Sequence, residues 1–206
     1  MKRLACILAP LVFALIAIAP LSPGEALTQG ERDRAMSSLH ASRKLFLDSV
    51  AGLSSEQWTF KPGPDRWSIA DCAEHIALSE DFIMSMIKDK ILASPSPAGK
   101  TTDRTKDDRI EAVLTDRSHK AQAPEPLQPS HKFATPQDAV EHFRKARDAN
   151  IKWIETTNAD LRDHIAASRA LGDLDAYQWV LYMSAHTMRH TEQINEVKES
   201  PDYPKR

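Results

Sequence analysis

The stretch Ala185-His186-Thr187-Met188-Arg189-His190-Thr191-Glu192-Gln193-Ile194 decides how the rest of the chain is interpreted. It places His186 and His190 four residues apart, so on a helix both imidazoles project from the same face. Apolar residues precede and follow the pair on that face: Val180, Met183, Ile194 and Val197. The pattern predicts a core-facing pair of histidines, which either bind a metal ion or are simply packed there.

A third histidine, His75, occurs far upstream in a similar setting. It follows Cys72 by three residues and precedes Ser79 by four, so it shares the inward-facing side of a predicted helix. Neutral imidazole is a common ligand for zinc and also suits iron, nickel and copper. Three such ligands would leave at least one position for water, as in catalytic zinc sites. Thr187 stands where zincin metalloproteases need glutamate, which argues against that class.

Four helices are predicted after residue 26. Thr28 with Glu31 forms a capping box for the first, which runs from Gln29 to Val50. Its predicted inner stripe is Met36, Leu39, Arg43, Phe46 and Val50. The second helix begins after the N-cap Ser68 and extends from Ile69 to about Leu92.

The other two helices follow in the C-terminal half. Thr135-Pro136-Gln137-Asp138 is a strong helix start, and the third helix is expected to end near Asn158. A short link containing Gly172 leads to Asp173, the predicted N-cap of a fourth helix that ends near Glu199. No alternating strand pattern of useful length is found. The fold class is therefore all-α, a four-helix bundle.

A connection of about 43 residues, 93–135, separates the second and third helices. Its prolines make one long helix improbable, although 105–114 carries a short helical pattern. Such a length inside a compact domain needs a reason. Either it is a crossover along the bundle that leaves helices two and three parallel, or it forms a lid or pocket wall near the histidines.

The N-terminus has the pattern of a secretory signal peptide. Lys2 and Arg3 precede an apolar run, and small residues allow cleavage after Ala26. An uncleaved membrane anchor is the alternative, since the run nearly reaches the ~20 residues that a membrane span needs. We expect residues 1–26 to be the signal peptide and 27–206 to be one domain, exported to the periplasm or the extracellular space. No further membrane span is expected after signal removal.

Charge and cysteine content exclude other classes. The chain has 27 basic and 29 acidic residues, and removing Lys2, Arg3 and Glu25 with the signal leaves a net charge of −3. No basic patch is present, so nucleic acid is not expected as a partner. Cys72 is the one cysteine after residue 26, so an intramolecular disulfide is excluded.

Three motifs together resemble the DinB-like superfamily, which includes damage-inducible DinB proteins and thiol-dependent S-transferases. They are Trp67-Ser68-Ile69, the segment His75-Ile76-Ala77-Leu78-Ser79-Glu80, and His186-x-x-x-His190-x-x-Gln193-Ile194. The resemblance covers about Gln29 to Glu199. It implies a four-helix bundle with a long crossover, and a metal site at His75, His186 and His190 for a divalent transition ion such as Zn, Ni, Fe or Mn.

The resemblance leaves the reaction open, because the family contains thiol-dependent transferases, an isomerase and metal-dependent hydrolases. One hypothesis is an enzyme in which the ion activates water or a thiol against a small-molecule substrate. The alternative is a non-enzymatic metal-binding or stress-associated bundle, and a third is a homodimer or partner-binding module. Secondary site candidates, each with a structural alternative, are Asp71, Cys72, Ser79, Ser184, Trp58 and Trp67.

Overall fold

The computed structural model describes residues 26–97, 101–119 and 122–205. The signal prediction for residues 1–26 thus lies outside the described residues, apart from Ala26. The helices are α1 (Gln29–Ser49), α2 (Ser55–Thr59), α3 (Ile69–Ser85), α4 (Ile110–Thr115), α5 (Pro136–Thr156) and α6 (Ala176–Lys198). The strands are β1 (Ile165–Ser168) and β2 (Gly172–Asp175). No helix in the described ranges is long and apolar enough to cross a membrane.

Each of the four long helices, α1, α3, α5 and α6, begins with a capping box. The side chain of the N-cap residue accepts a hydrogen bond from the third helical N–H, whose own side chain bonds back to the N-cap backbone. The pairs are Thr28 with Glu31, Ser68 with Asp71, Thr135 with Asp138, and Asp175 with Gln178. The first was predicted as a capping box, and Ser68 and Thr135 were predicted as N-caps. The prediction of Asp173 as the fourth cap is wrong, since Asp175 caps α6.

The four long helices form a bundle in which α3 and α5 run in the same direction. Glu80 of α3 meets Arg147 of α5, and further along the chain Lys88, in the turn that follows α3, lies over the ring of Trp153 in α5. The connection between α3 and α5 therefore returns along the bundle, which confirms the crossover. It contains α4 and two 3₁₀ turns, Arg104–Asp108 and Glu125–Leu127.

Three local features differ from the prediction. The link before α6 is a β-hairpin in which Ile165 pairs with Asp175 and Ser168 with Gly172. Strands of four residues are too short for an alternating pattern to stand out. The chain between α1 and α3 folds into α2, with its own capping box. The π-helical turn Met86–Ile91 ends α3.

The buried stripe of α1 also differs from the predicted one. It consists of Ala35, Leu39, Ser42 and Phe46, whereas Arg43 pairs with Asp148 near the surface. Ser42 is buried because its hydroxyl accepts a hydrogen bond from Arg147. Arg43 was therefore predicted on the inner face of α1, where the structure has Ser42.

The core contains an ion pair between Glu80 and Arg147, whose side chains are 1% and 0% exposed. Two parallel bonds of 2.7 and 2.8 Å join the guanidinium and the carboxylate. The guanidinium also donates to the carbonyl oxygen of Leu39, to Ser42 and to Thr187. The pair therefore joins all four long helices in one network.

We predict that Arg147→Met destabilises the protein by about 3–5 kcal/mol, because it leaves the Glu80 carboxylate buried without its partner. The double variant Glu80→Leu, Arg147→Met should be more stable than Arg147→Met alone, since no buried charge remains. The measurement is chemical denaturation at pH 7.5. Arg144→Met, which removes an exposed pair with Glu141, is the control and should change stability by less than about 0.5 kcal/mol. Equal losses in the single and double core variants would contradict the prediction.

Candidate metal centre

The three histidines predicted from the sequence meet in the bundle. His75 comes from the second turn of α3, and His186 and His190 come from successive turns of α6. One nitrogen from each ring lies within 4.8 Å of the others. The Nε2 atoms of His75 and His186 are 3.3 Å apart. Two ligands at ~2.1 Å from a tetrahedral zinc ion would be separated by about 3.4 Å, so this spacing fits a shared ion.

Hydrogen bonds donated by Nδ1 fix the tautomers of two of the rings. Nδ1 of His75 lies 2.7 Å from the carbonyl oxygen of Leu127, and Nδ1 of His190 lies 2.9 Å from Oε1 of Gln193. Both oxygens can only accept, so each Nδ1 carries the proton and donates it. Nε2 of each ring is then left with a lone pair. This arrangement is typical of metal-bound histidine, whose other nitrogen is held by a neighbouring acceptor.

The surroundings keep the imidazoles neutral. Burial lowers the pKa of His75, against the opposing effect of its hydrogen bond to Leu127. The pKa of His186 lies well below its usual value because of burial, the neighbouring His75, and the charges of Arg189 and Arg147. Burial and the two other histidines lower the pKa of His190 in the same way. All three rings are therefore ready to bind a metal ion at neutral pH without losing a proton.

Two aromatic rings bound the cluster. Trp67 packs 5.0 Å from the ring of His75 and stacks 5.9 Å from that of His190. Tyr182 stacks against His186 at 6.2 Å between ring centroids. Trp67, one of the secondary candidates, is therefore in contact with two of the three histidine rings.

Three protein ligands make up the cluster in the described part of the chain, and no carboxylate or thiol joins them. A structural zinc site normally has four protein ligands, whereas a catalytic site has three and an open position. His75 and His190 are buried, but His186 is partly exposed. The donor set fits a divalent transition ion and includes no fourth protein ligand among the described residues.

Most of the secondary candidates lie away from the cluster. Cys72 is fully buried among apolar side chains, where burial raises the pKa of its thiol. Asp71 caps α3 and pairs with Lys61, so it does not orient an imidazole. Ser184 donates to the backbone of Ser38 in helix packing.

The remaining two secondary candidates also have defined positions. Ser79 is near the cluster, with its hydroxyl 3.5 Å from Nε2 of His75. Trp58 lines a cavity of about 340 Å³ between α1, α2 and α5. None of the three histidines lines that cavity, so Trp58 belongs to the core at the end of the bundle.

Two orienting groups were not predicted. The acceptor for His75 is a backbone carbonyl of the crossover, and side-chain patterns carry no information about it. Gln193 was part of the quoted motif, and its position one turn after His190 could have indicated a side-chain hydrogen bond to that ring. The other histidines, His40, His119, His131, His142 and His164, do not join the cluster.

Comparisons with known proteins agree with this architecture. The family model of the DinB superfamily matches residues 38–194 of the chain. The uncharacterized protein YuaE from Bacillus subtilis (strain 168) is 23% identical over 164 residues, which is 80% of this chain and 97% of YuaE. The solved structure of YfiT from Bacillus subtilis is described as a probable metal-dependent hydrolase with an unusual four-helix bundle topology. It aligns with a TM-score of 0.55 at 12% identity, over 91% of this chain and 97% of YfiT. At that identity the likeness shows the fold alone.

We predict that the metal-free protein loses stability as the pH falls below about 6.5, the usual histidine value. The folded-state pKa values of all three histidines are lowered. The unfolded chain therefore binds more protons than the folded one between about 6.5 and those lower values. Each histidine contributes at most about 1.4 kcal/mol per pH unit to the loss.

The measurement is denaturation of chelator-treated protein at pH 7.5, 6.5 and 5.5. The double variant His186→Gln, His190→Gln should show a shallower dependence on pH. His40→Gln, which changes an exposed histidine of α1 outside the cluster, is the control variant. The same slope in the wild type and the double variant would refute the prediction.

Proposed function

The chain belongs to the DinB superfamily, and from this premise we propose that it binds a divalent metal ion through His75, His186 and His190 and hydrolyses a small-molecule substrate. The observation that carries the proposal is the set of three neutral imidazoles with no fourth protein ligand among the described residues. YfiT, whose fold this chain shares, is described as a probable metal-dependent hydrolase, which supports the same class of reaction here.

A divalent ion held by the three Nε2 atoms would act as a Lewis acid and lower the pKa of a coordinated water or thiol. The protein's own groups supply binding and orientation. Leu127 and Gln193 keep the Nε2 lone pairs of two histidines directed to the centre. Trp67 and Tyr182 shield the cluster with apolar rings on either side.

The nearby carboxylates are already engaged. Glu80 is paired with Arg147, and Glu74 accepts hydrogen bonds from the backbone of residues 130–132. Neither is free to act as a general base. Activation of the nucleophile is therefore expected to depend on the ion. A thiol substrate would suit the same site, because a thiolate is a good ligand for zinc.

A structural metal site is the second candidate. It is favoured by the burial of His75 and His190 and by the cavity of about 340 Å³ lying away from the histidines. In that case the ion would bind but the protein would turn over no substrate. Turnover that depends on the metal separates the two candidates.

We predict that the purified protein binds about one equivalent of a divalent transition ion and that removal of the ion abolishes hydrolysis. The measurements are elemental analysis and a screen of small ester, amide and thiol-transfer substrates before and after chelation. The double variant His186→Ala, His190→Ala should lose both the ion and the activity, with His142→Ala as the control. Full metal occupancy in the double variant would rule out the site. Metal binding without turnover of any substrate would favour the structural candidate.

We also propose that residues 1–26 are a secretory signal and that the domain 27–206 is exported. Gly24 and Ala26 are small residues at the spacing that signal peptidase recognises. Expression of the full chain in a bacterium should yield mature protein that begins at Leu27 by mass spectrometry. Ala26→Arg should block the cleavage. An intact N-terminus in fractionated wild-type protein would contradict cleavage and favour the anchor.

A further inference from the structure

One part of the crossover, residues 114–119 and 122–132, packs directly against the metal ligands, and we refer to it as the crossover arm. Its Leu127 carbonyl accepts the Nδ1 hydrogen of His75. Arg189, next to His190, donates to the carbonyl oxygens of Leu114, Asp116 and His119. The arm is therefore held by His75 itself and by the residue that precedes His190.

Glu74 fixes the C-terminal part of the arm. Its carboxylate accepts hydrogen bonds of 2.9, 3.1 and 3.0 Å from the backbone N–H groups of Ser130, His131 and Lys132. His131 has a φ of 59°, a left-handed conformation that is uncommon for a residue with a side chain. This conformation turns successive N–H groups toward one anion. Leu127 lies three residues before Ser130, so the Glu74 hydrogen bonds hold the backbone close to the Leu127 carbonyl.

Arg117 holds Gln193, the hydrogen-bond acceptor for His190. Its Nε and Nη2 atoms bind the carboxylate of Glu196 at 2.6 and 2.9 Å. Its Nη1 atom donates to Oε1 of Gln193 at 3.4 Å. Since guanidinium nitrogens only donate, Arg117 holds the oxygen of the Gln193 amide on the side where it also accepts from Nδ1 of His190.

We propose that Glu74 and Arg117 are positioning residues that set the tautomers of His75 and His190, so that Nε2 of each ring is free to bind metal. The proposal rests on the proposed function for its metal-binding readout, but the tautomers exist without metal. An imidazole that carries its proton on Nε2 cannot donate that lone pair to an ion. Contacts with the crossover arm, which lies outside α3 and α6, thus hold His75 and His190 in the tautomer that can bind a metal ion.

Two variants test the two anchors. Glu74→Gln replaces one acceptor oxygen with an NH₂ group that would face the backbone N–H groups of residues 130–132. Arg117→Lys keeps the positive charge but loses the planar fork that holds Gln193 and Glu196 together. The matched controls are Glu141→Gln and Arg144→Lys, an exposed pair on α5.

The first measurement is ¹⁵N NMR of the imidazoles in metal-free full-length protein at pH 7.5. Wild type and both controls should show His75 and His190 protonated on Nδ1. Glu74→Gln should move His75 toward the Nε2-protonated form, and Arg117→Lys should do the same for His190. Helix content, followed by circular dichroism, should stay at the wild-type level. Unchanged tautomers in both variants would overturn the proposal.

The second measurement is titration of the metal-free proteins with Zn²⁺ alone. Loss of an orienting partner typically weakens metal affinity about 10–100-fold, and we expect that loss in both variants and in neither control. Wild-type affinity in both variants would overturn the positioning role. A wild type that fails to bind Zn²⁺ but shows the expected tautomers would count against the proposed function and leave the tautomer assignment standing.

Discussion

The buried ion pair between Glu80 and Arg147 is the interaction on which the rest of the structure depends. Burying a charged side chain without a partner costs several kcal/mol of folding free energy, so the folded state requires contact between the two side chains. Around the guanidinium, groups from α1 and α6 complete the hydrogen bonding. Sliding one helix by a turn would break several of these bonds together. We infer that the pair sets the register of the four helices and thereby the distance between His75 and the histidines of α6.

The three-histidine cluster lies next to this network in sequence and in space. Glu80 comes one residue after Ser79, whose hydroxyl faces His75, and Thr187 follows His186 directly. Helices α3 and α6 thus supply the three histidines, and the crossover supplies the backbone oxygen that accepts a hydrogen bond from His75. The connection between α3 and α5 is long because it returns the chain along the bundle and also packs against the three-histidine cluster. The two explanations considered for its length are therefore compatible.

The long helices and the convergence of the three histidines could be predicted from the sequence because their signals are local or periodic, while the role of the histidines as metal ligands stays a proposal. Capping residues such as Thr28 and Thr135 mark helix starts within four residues, and the spacing of His186 and His190 is one helical turn. Arg147 was missed because a charged residue one turn after Phe143 is normally taken as solvent-exposed, and its burial depends on partners from three other helices. The hairpin before α6 was missed because four-residue strands give too little pattern. The acceptor for His75 is the backbone carbonyl of Leu127, and every residue has such a carbonyl, so the sequence could not identify it. Export and dimer formation stay predictions.

The separation of the ligands along the chain has a consequence for folding. His75 and His186 are 111 positions apart, and their nitrogens lie 3.3 Å from each other. An ion shared by both would close a loop of that length and reduce the conformational entropy of the unfolded chain, as a cross-link does. Cys72 is a free thiol, and no second cysteine follows residue 26. Because the chain after residue 26 cannot form an intramolecular disulfide, the shared ion would act as its long-range cross-link.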